Sequence, residues 1–438
     1  MRPTPREEPM TLHSLQTRTA AETTLAEQFA AAQAAAPEPD RETSFRLFAA
    51  KGLPTRRDEA WHYTDLRSLF ANVAPLARAP DPIALAAAKL TLTARTPAGA
   101  AVLAIVDGRY IPELSDAPPH GVSVVPLVQA GRARGVNAEG DSVLALNRAL
   151  AQGGCVVSVE AGARIAQTIE IVHLTSGGVA TSVHSQVSIH IGAGGEARFV
   201  ESFIGARAGD QRDVATLIDL GDGARLAHVV IIEDNAALHL ESQVARLGDK
   251  AKLAAFGLVI GGALVRRQIF ATLTGQYADL ALGGLSLING GRHADTTLVV
   301  DHAAPHGQSR EFYKHIVADD ATGVYQGKVI VQPGAQKTDG GMKSQAILLS
   351  PRAVMNNKPE LEIFADDVVC GHGATVGALD PEQTFYLQAR GLPRAEAEAM
   401  LLEAFGADAI ARVDDEELAE LMREKMRAWL AARAEGAR

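Results

Sequence analysis

The chain has 438 residues, 47% of them hydrophobic and 21% charged, with a formal net charge of −10; that is ordinary for a globular protein and long enough for two or three domains. The acidic balance excludes nucleic acid as the main partner, because phosphate binding needs concentrated Lys and Arg, and two distant cysteines make no disulfide framework, which points to a reducing compartment. The first thirty residues hold no apolar run of signal-peptide length and no later run approaches the ~20 residues that span a bilayer, so a cytoplasmic protein without membrane contact is expected.

The amino-terminal part, residues 1–95, reads helical. Thr19 to Ala36 is rich in Ala, Glu, Gln and Leu, and Pro37 and Pro39 stop it. A second helix is predicted over 41–51, ending at Gly52 with Pro54 beyond. Next comes the run Gly52-Leu-Pro-Thr-Arg-Arg-Asp-Glu-Ala-Trp-His-Tyr-Thr-Asp-Leu66. Trp61 and Tyr63 are large amphipathic side chains suited to pinning it onto the main body. Arg56, Arg57, Asp58 and Glu59 read as a solvated charged turn in a docking segment rather than as an active site.

The middle, residues 96–378, alternates short Val-, Ile-, Leu- and Thr-rich runs with Gly, Asp and Asn turns, an all-β signal without long amphipathic helices. Gly194, Gly221, Gly248 and Gly275 recur every 27 residues; each is followed three positions on by alanine (Ala197, Ala224, Ala251, Ala278) and five on by Phe199, Leu226, Leu253 or Leu280. The phase slips, then resumes at Gly307, with Phe312 after it, and at Gly334. A repeat of this length made of strand and turn signals fits a β-solenoid whose Ala and Leu ladders fill the interior and whose glycines turn corners. Gly323-Val-Tyr-Gln-Gly-Lys328 has the wrong spacing for a Walker A loop and Val329 follows it, so no ATPase is expected. His184, His190, His293, His302, His306 and His315 follow no ligand spacing and read as scattered surface residues. Cys155, among Gly and Val, reads as a buried structural thiol.

Near the end of this region lies Asn356-Asn-Lys-Pro-Glu-Leu-Glu-Ile-Phe-Ala-Asp-Asp-Val-Val-Cys-Gly-His-Gly-Ala-Thr-Val-Gly377. Cys370 and His372 are two apart, which puts thiol and imidazole on one face of a strand. That pairing suits a soft transition metal or an activated thiol. A small buried hydrophobe beside an unremarkable histidine explains the spacing equally well. Two ligands do not close a metal site, so a metal here borrows donors from elsewhere. The stretch belongs to the last coil or close to it, where an unpaired edge lets a second subunit extend the sheet and supply them.

From Asp380 the chain, residues 379–438, returns to helix. Asp380-Pro381-Glu382 is a strong start; a second helix opens at Pro393 with apolar Met400, Leu401 and Phe405. A third is predicted from Asp414, with a stripe of Leu418, Leu421, Met422 and Trp429 of the kind that packs on its own domain.

The Asn-x-Lys-Pro-Glu-Leu-Glu-Ile and Ala-Asp-Asp-Val-x-Cys-x-His-Gly-Ala-Thr-Val-Gly runs, with the Pro-Thr-Arg-x-x-Glu-x-Trp-x-Tyr-Thr run around Trp61, resemble the SufB/SufD family, the scaffold subunits of SUF iron-sulfur cluster assembly, and look closer to its SufD branch. Gly371 departs from the serine expected there in many relatives. The resemblance implies a non-enzymatic scaffold on which a transient iron-sulfur cluster forms at the interface with a SufB-like subunit. His372 is then a ligand and Cys370 a second candidate. It further implies that a SufC-like ABC ATPase docks on the carboxy-terminal helices, which makes Leu418, Leu421, Met422 and Trp429 the partner-binding candidates. Reduced flavin is also suggested by it; whether the isolated chain forms a homodimer or only the heterocomplex is left open by the sequence. The expected fold is mainly β: a right-handed parallel β-helix core flanked by amino- and carboxy-terminal helical regions. The rival readings are a purely structural assembly subunit without a metal ligand and a carbohydrate-active β-helix enzyme.

Overall fold

A computed structural model describes residues 18–95, 99–130, 140–413 and 415–436. The core is a β-solenoid in which the chain lays strands alternately into a ten-stranded and a nine-stranded sheet. Successive coils pair in parallel, so every inward side chain stands above its equivalent. Leu226, Leu253 and Leu280 form one such column, none more than 2% exposed. Ala224, Ala251 and Ala278 are fully buried at the strand entrances.

The 27-residue period holds only for these middle coils. Glu196 pairs with Arg225 and Asp279 with Gln308, so the flanking coils are two residues longer. Ala197 therefore stacks on Leu226 rather than Ala224, Phe199 stands with His228, and Phe312 joins the column of Gly283. A parallel ladder fixes register only within the strands, and the turns absorb extra residues without disturbing it.

The two ends differ. At the first coil, Arg109–Tyr110 and Val122–Pro126 pair antiparallel to Ala101–Val106 and Gly154–Val159 and close both sheets. At the other end, Val354–Ile363 and Val369–Gly377 are edge strands with one neighbour each.

Helices Ala20–Ala35, Pro39–Lys51 and Ser142–Leu150 share one apolar cluster with the outer face of the nine-stranded sheet, joining Leu25, Phe48, Trp61 and Leu146 to Leu240 and Leu264. The last of these helices lies inside the stretch expected to be all β. Trp61 is 3% exposed, and the Arg266 guanidinium sits 4.1 Å above its ring. Ala60 accepts hydrogen bonds from Arg266 and Gln326, and the Thr64 hydroxyl meets Asp295. Arg56, Arg57, Asp58 and Glu59 are exposed, as a docking turn requires.

At the carboxy terminus, helices Arg394–Ile410 and Glu416–Gly436 cover the outer face of the ten-stranded sheet. Gly406 lets Met426 and Leu285 come close, where a Cβ would collide. The start expected at Asp414 lies outside the described residues. Among them, no helix is long and apolar enough to cross a membrane.

Candidate functional site

Cys370 and His372 lie on Val369–Gly377, the last strand of the ten-stranded sheet. Parallel register sets Cys370 beside Gly340 and His372 beside Met342, and continues inward to Ser309 and Glu311. Both side chains thus belong to interior columns, although no further coil covers them. Cys370 is half-buried and packs against the solenoid core. Burial pushes its thiol upward and the Gly340 backbone only partly offsets this, so the isolated chain keeps a thiol rather than a thiolate. His372 is exposed, flanked by Gly371 and Gly373, where an added Cβ would meet nothing within 4 Å. A cavity of about 550 Å³ lies on the outer face of this sheet edge, lined among others by Arg310, Phe312, Lys343, His372 and Arg412.

At this end the edge strands expose Val354, Ile363, Val369 and Val376, and the connection between them exposes Phe364. Unpaired backbone together with exposed apolar side chains is the signature of an edge that takes a partner. Among the described residues no three His, Cys, Asp or Glu side chains are placed to hold a metal ion. The donor set at Cys370 and His372 is therefore incomplete among the described residues.

Behind this end the interior is polar, which periodicity did not reveal. Glu201, 1% exposed, bonds His173 at 3.0 Å and His228 at 2.9 Å. Burial alone would raise its pKa, yet the two imidazoles hold the carboxyl well below the usual range. Arg267 binds Glu241, its guanidinium filling the space left by Gly257, and Gly284 makes room for the Tyr313 ring. Burial also pushes His315 down to about 3 and His302 down to about 4, so both are neutral. Three of the six histidines expected at the surface are thus inside, while His190, His293 and His306 stay partly exposed: His184 bonds Asp213, His302 bonds Ser309, and His315 is 1% exposed. The available signal was polar residues occupying the inward phase of a strand, as in Phe199-Val-Glu201-Ser-Phe203. Cys155 is fully buried, and desolvation pushes its thiol far upward, as expected of a structural cysteine.

Of the carboxy-terminal stripe, Leu418 and Met422 lie in the chain's own core, whereas Leu421 and Trp429 stay half-buried. Leu418 and Met422 are buried against Val229, Ile231, Leu258 and Leu285, with Leu421 and Trp429 packed beside them. An amphipathic helix buries its apolar face wherever its own chain offers one, and here the sheet does. The open apolar side chains at this end are Phe385, Tyr386 and Met400. Helix Pro381–Gln388 buries none of its residues.

Comparison with known proteins agrees with this architecture. Residues 173–405 match the family described as SUF system FeS cluster assembly, SufBD core domain, and residues 22–171 match the SufBD protein N-terminal region. The chain is 31% identical over 386 residues to the iron-sulfur cluster assembly protein SufD of Escherichia coli, covering 87% of this chain and 90% of that protein. It is 28% identical over 379 residues to an iron-sulfur cluster assembly SufBD family protein of Mycobacterium tuberculosis, covering 84% and 87%. Against SufD of Bacillus subtilis the figures are 26% over 285 residues, 63% and 64%. The chain belongs to the SufBD family and is a subunit of SUF iron-sulfur cluster assembly.

Proposed function

We propose that this subunit is a SufD-like scaffold whose open solenoid end pairs with a SufB-like subunit, and that a nascent cluster forms between them with His372 as this chain's principal ligand. One observation carries the reading: an incomplete donor pair sits on the edge strand of the uncapped end. A partner strand laid along Val369–Gly377 would satisfy its free backbone groups and bring donors opposite His372. Neutral imidazole is a competent iron ligand and releases more readily than thiolate. Cys370 is the weaker ligand, since its thiol must first lose a proton that burial retains.

The chain itself performs no catalysis in this reading. A SufC-like ATPase docks on the carboxy-terminal helices, through the exposed Phe385, Tyr386 and Met400 and the half-buried Leu421 and Trp429, with Leu418 and Met422 supporting them from the core. Reduced flavin belongs to the same proposal by family resemblance alone, and action in the cytoplasm belongs to it through the two distant cysteines.

The test is anaerobic reconstitution with iron and sulfide, of the chain alone and with its two partners, read by Mössbauer spectroscopy. A cluster that appears only in the complex and is lost in His372→Ala supports the reading. A cluster indifferent to His372 makes this a structural partner without a ligand.

A further inference from the structure

The chain carries a net charge of −10, yet a patch beside its free edge strand is cationic. Parallel register aligns Phe312, Lys343 and Gly373 in one outward column and Arg310, Gly341 and Gly371 in the next. The Lys343 ammonium lies 5.9 Å and the Arg412 guanidinium 4.7 Å from the centre of the Phe312 ring. Both residues are exposed, and no carboxylate among the described residues is in ion-pair contact with either. The acids close by are taken. Asp339 pairs with Arg310, and Asp408 bonds the buried Lys314, which holds its carboxyl below the usual range with weaker help from Arg412 and Lys343. Glu311 borders the same cavity from the interior, where burial pushes its carboxyl up to about 7. Like charges gathered over one ring repel, and an anion beside them removes that cost.

The edge strand leaves the patch open. The outward positions of Val369–Gly377 are Gly371, Gly373, Thr375 and Gly377, and the strand carries no Lys, Arg, Asp or Glu. A Cβ at Gly371 or Gly373 would meet nothing within 4 Å, so no side chain stands between Lys343 and whatever lies along the edge. Neighbouring strands lie about 4.8 Å apart, so Lys343 and a residue on an added strand are about 10 Å apart at the backbone, a span that Lys and Glu bridge across a glycine. The N–H groups of the sheet lie in its plane and serve strand pairing, so they do not turn into the cavity to cradle a small anion.

We propose that the strand added along Val369–Gly377 presents acidic side chains on its outward face, which reach over Gly371 and Gly373 to Lys343 and Arg412. The inference rests on the scaffold reading above and gives the chemistry of the partner's surface. Side chains alternate along a strand, so one register turns the partner's donors inward, opposite His372, and its carboxylates outward. A slip of one residue would exchange the two faces, and the ion pairs thereby fix which partner residues meet His372. Charge pairs of this kind act on partner choice and on the rate of association. A second copy of this chain, pairing through its own Val369–Gly377, brings no acid.

The experiment measures association of the purified full chain with the SufB-like subunit by surface plasmon resonance at two ionic strengths. At about 50 mM salt the pair Lys343→Glu, Arg412→Glu should slow association and weaken binding by roughly tenfold or more, and at about 0.5 M salt the difference should shrink to roughly twofold. The neutral pair Lys343→Gln, Arg412→Gln should fall between wild type and the reversed chain. Reversing the charge of one acid on the partner's edge strand should restore binding to the reversed chain. Equal affinity of wild type and the reversed chain at low salt overturns the proposal and leaves the scaffold reading intact. Binding of inorganic phosphate by wild type that is lost in the reversed chain, with partner affinity unchanged, makes the cavity a small-anion site and overturns it too. No association of the wild-type chain with the SufB-like subunit overturns the scaffold reading and this proposal together.

Discussion

The Glu59 carboxylate, in the amino-terminal docking turn, lies 3.0 Å from the Lys358 ammonium on the outermost strand of the nine-stranded sheet. The docking segment thus spans the solenoid face from Arg266 to the last coil, through Ala60 and Gln326. The contributions along it are unequal. The Glu59–Lys358 pair is largely exposed, so Glu59→Gln should leave the urea unfolding midpoint nearly unchanged. Trp61→Ala removes a buried ring and uncovers the Arg266–Asp295 pair, and should cost about 3–5 kcal/mol. Equal costs for the two would mean that the segment is not anchored at Trp61.

Glu311 should make stability depend on pH. Burial pushes its carboxyl from an ordinary 4.5 up to about 7, with Ser309 and Arg310 pulling weakly the other way. The buried Tyr313 and Tyr325 rings lie beside it. Between those pH values the folded chain binds the proton and the unfolded chain does not. This group's contribution therefore falls as pH rises from 4.5 toward 7. Glu311→Gln should be more stable than wild type at pH 8, by up to about 3 kcal/mol, and close to it at pH 4. Thermal melts of both across this range check it; a constant difference would locate the charge effect elsewhere.

Removing one partner of the buried Arg267–Glu241 pair strands the other in the interior. Glu241→Gln should cost about 3–5 kcal/mol in denaturant unfolding, while replacing both residues with apolar ones of similar volume should cost much less. A double-mutant cycle separates the two outcomes.

Met422 and Phe385 should behave oppositely. Met422→Ala leaves a cavity under the last helix and should destabilise by about 2–5 kcal/mol. Phe385→Ala, at a side chain 71% exposed, should leave the melting temperature unchanged and weaken ATPase binding in a pull-down. Unaltered binding by a Phe385→Ala, Tyr386→Ala double variant would move the docking site away from this helix.

By itself the sequence determined the solenoid, its helical flanks and the Cys370–His372 pair. Strand alternation, turn residues and a local repeat are carried by neighbours along the chain, and a two-residue spacing on a strand assigns a face directly. It also determined the docking role of the Trp61 segment, because an amphipathic aromatic cluster has few other uses. Only the tertiary structure decided how the coils register. Turns of unequal length shift the phase between coils, so Ala197 meets Leu226 and Glu311 comes to stand behind His372. It alone decided which polar residues lie inside, since Glu201 gains His173 and His228 from neighbouring coils about thirty residues away, a pairing no local pattern encodes. The fate of the Leu418 and Met422 stripe was likewise tertiary: amphipathicity says that a face will be buried, and only the position of the ten-stranded sheet says against what.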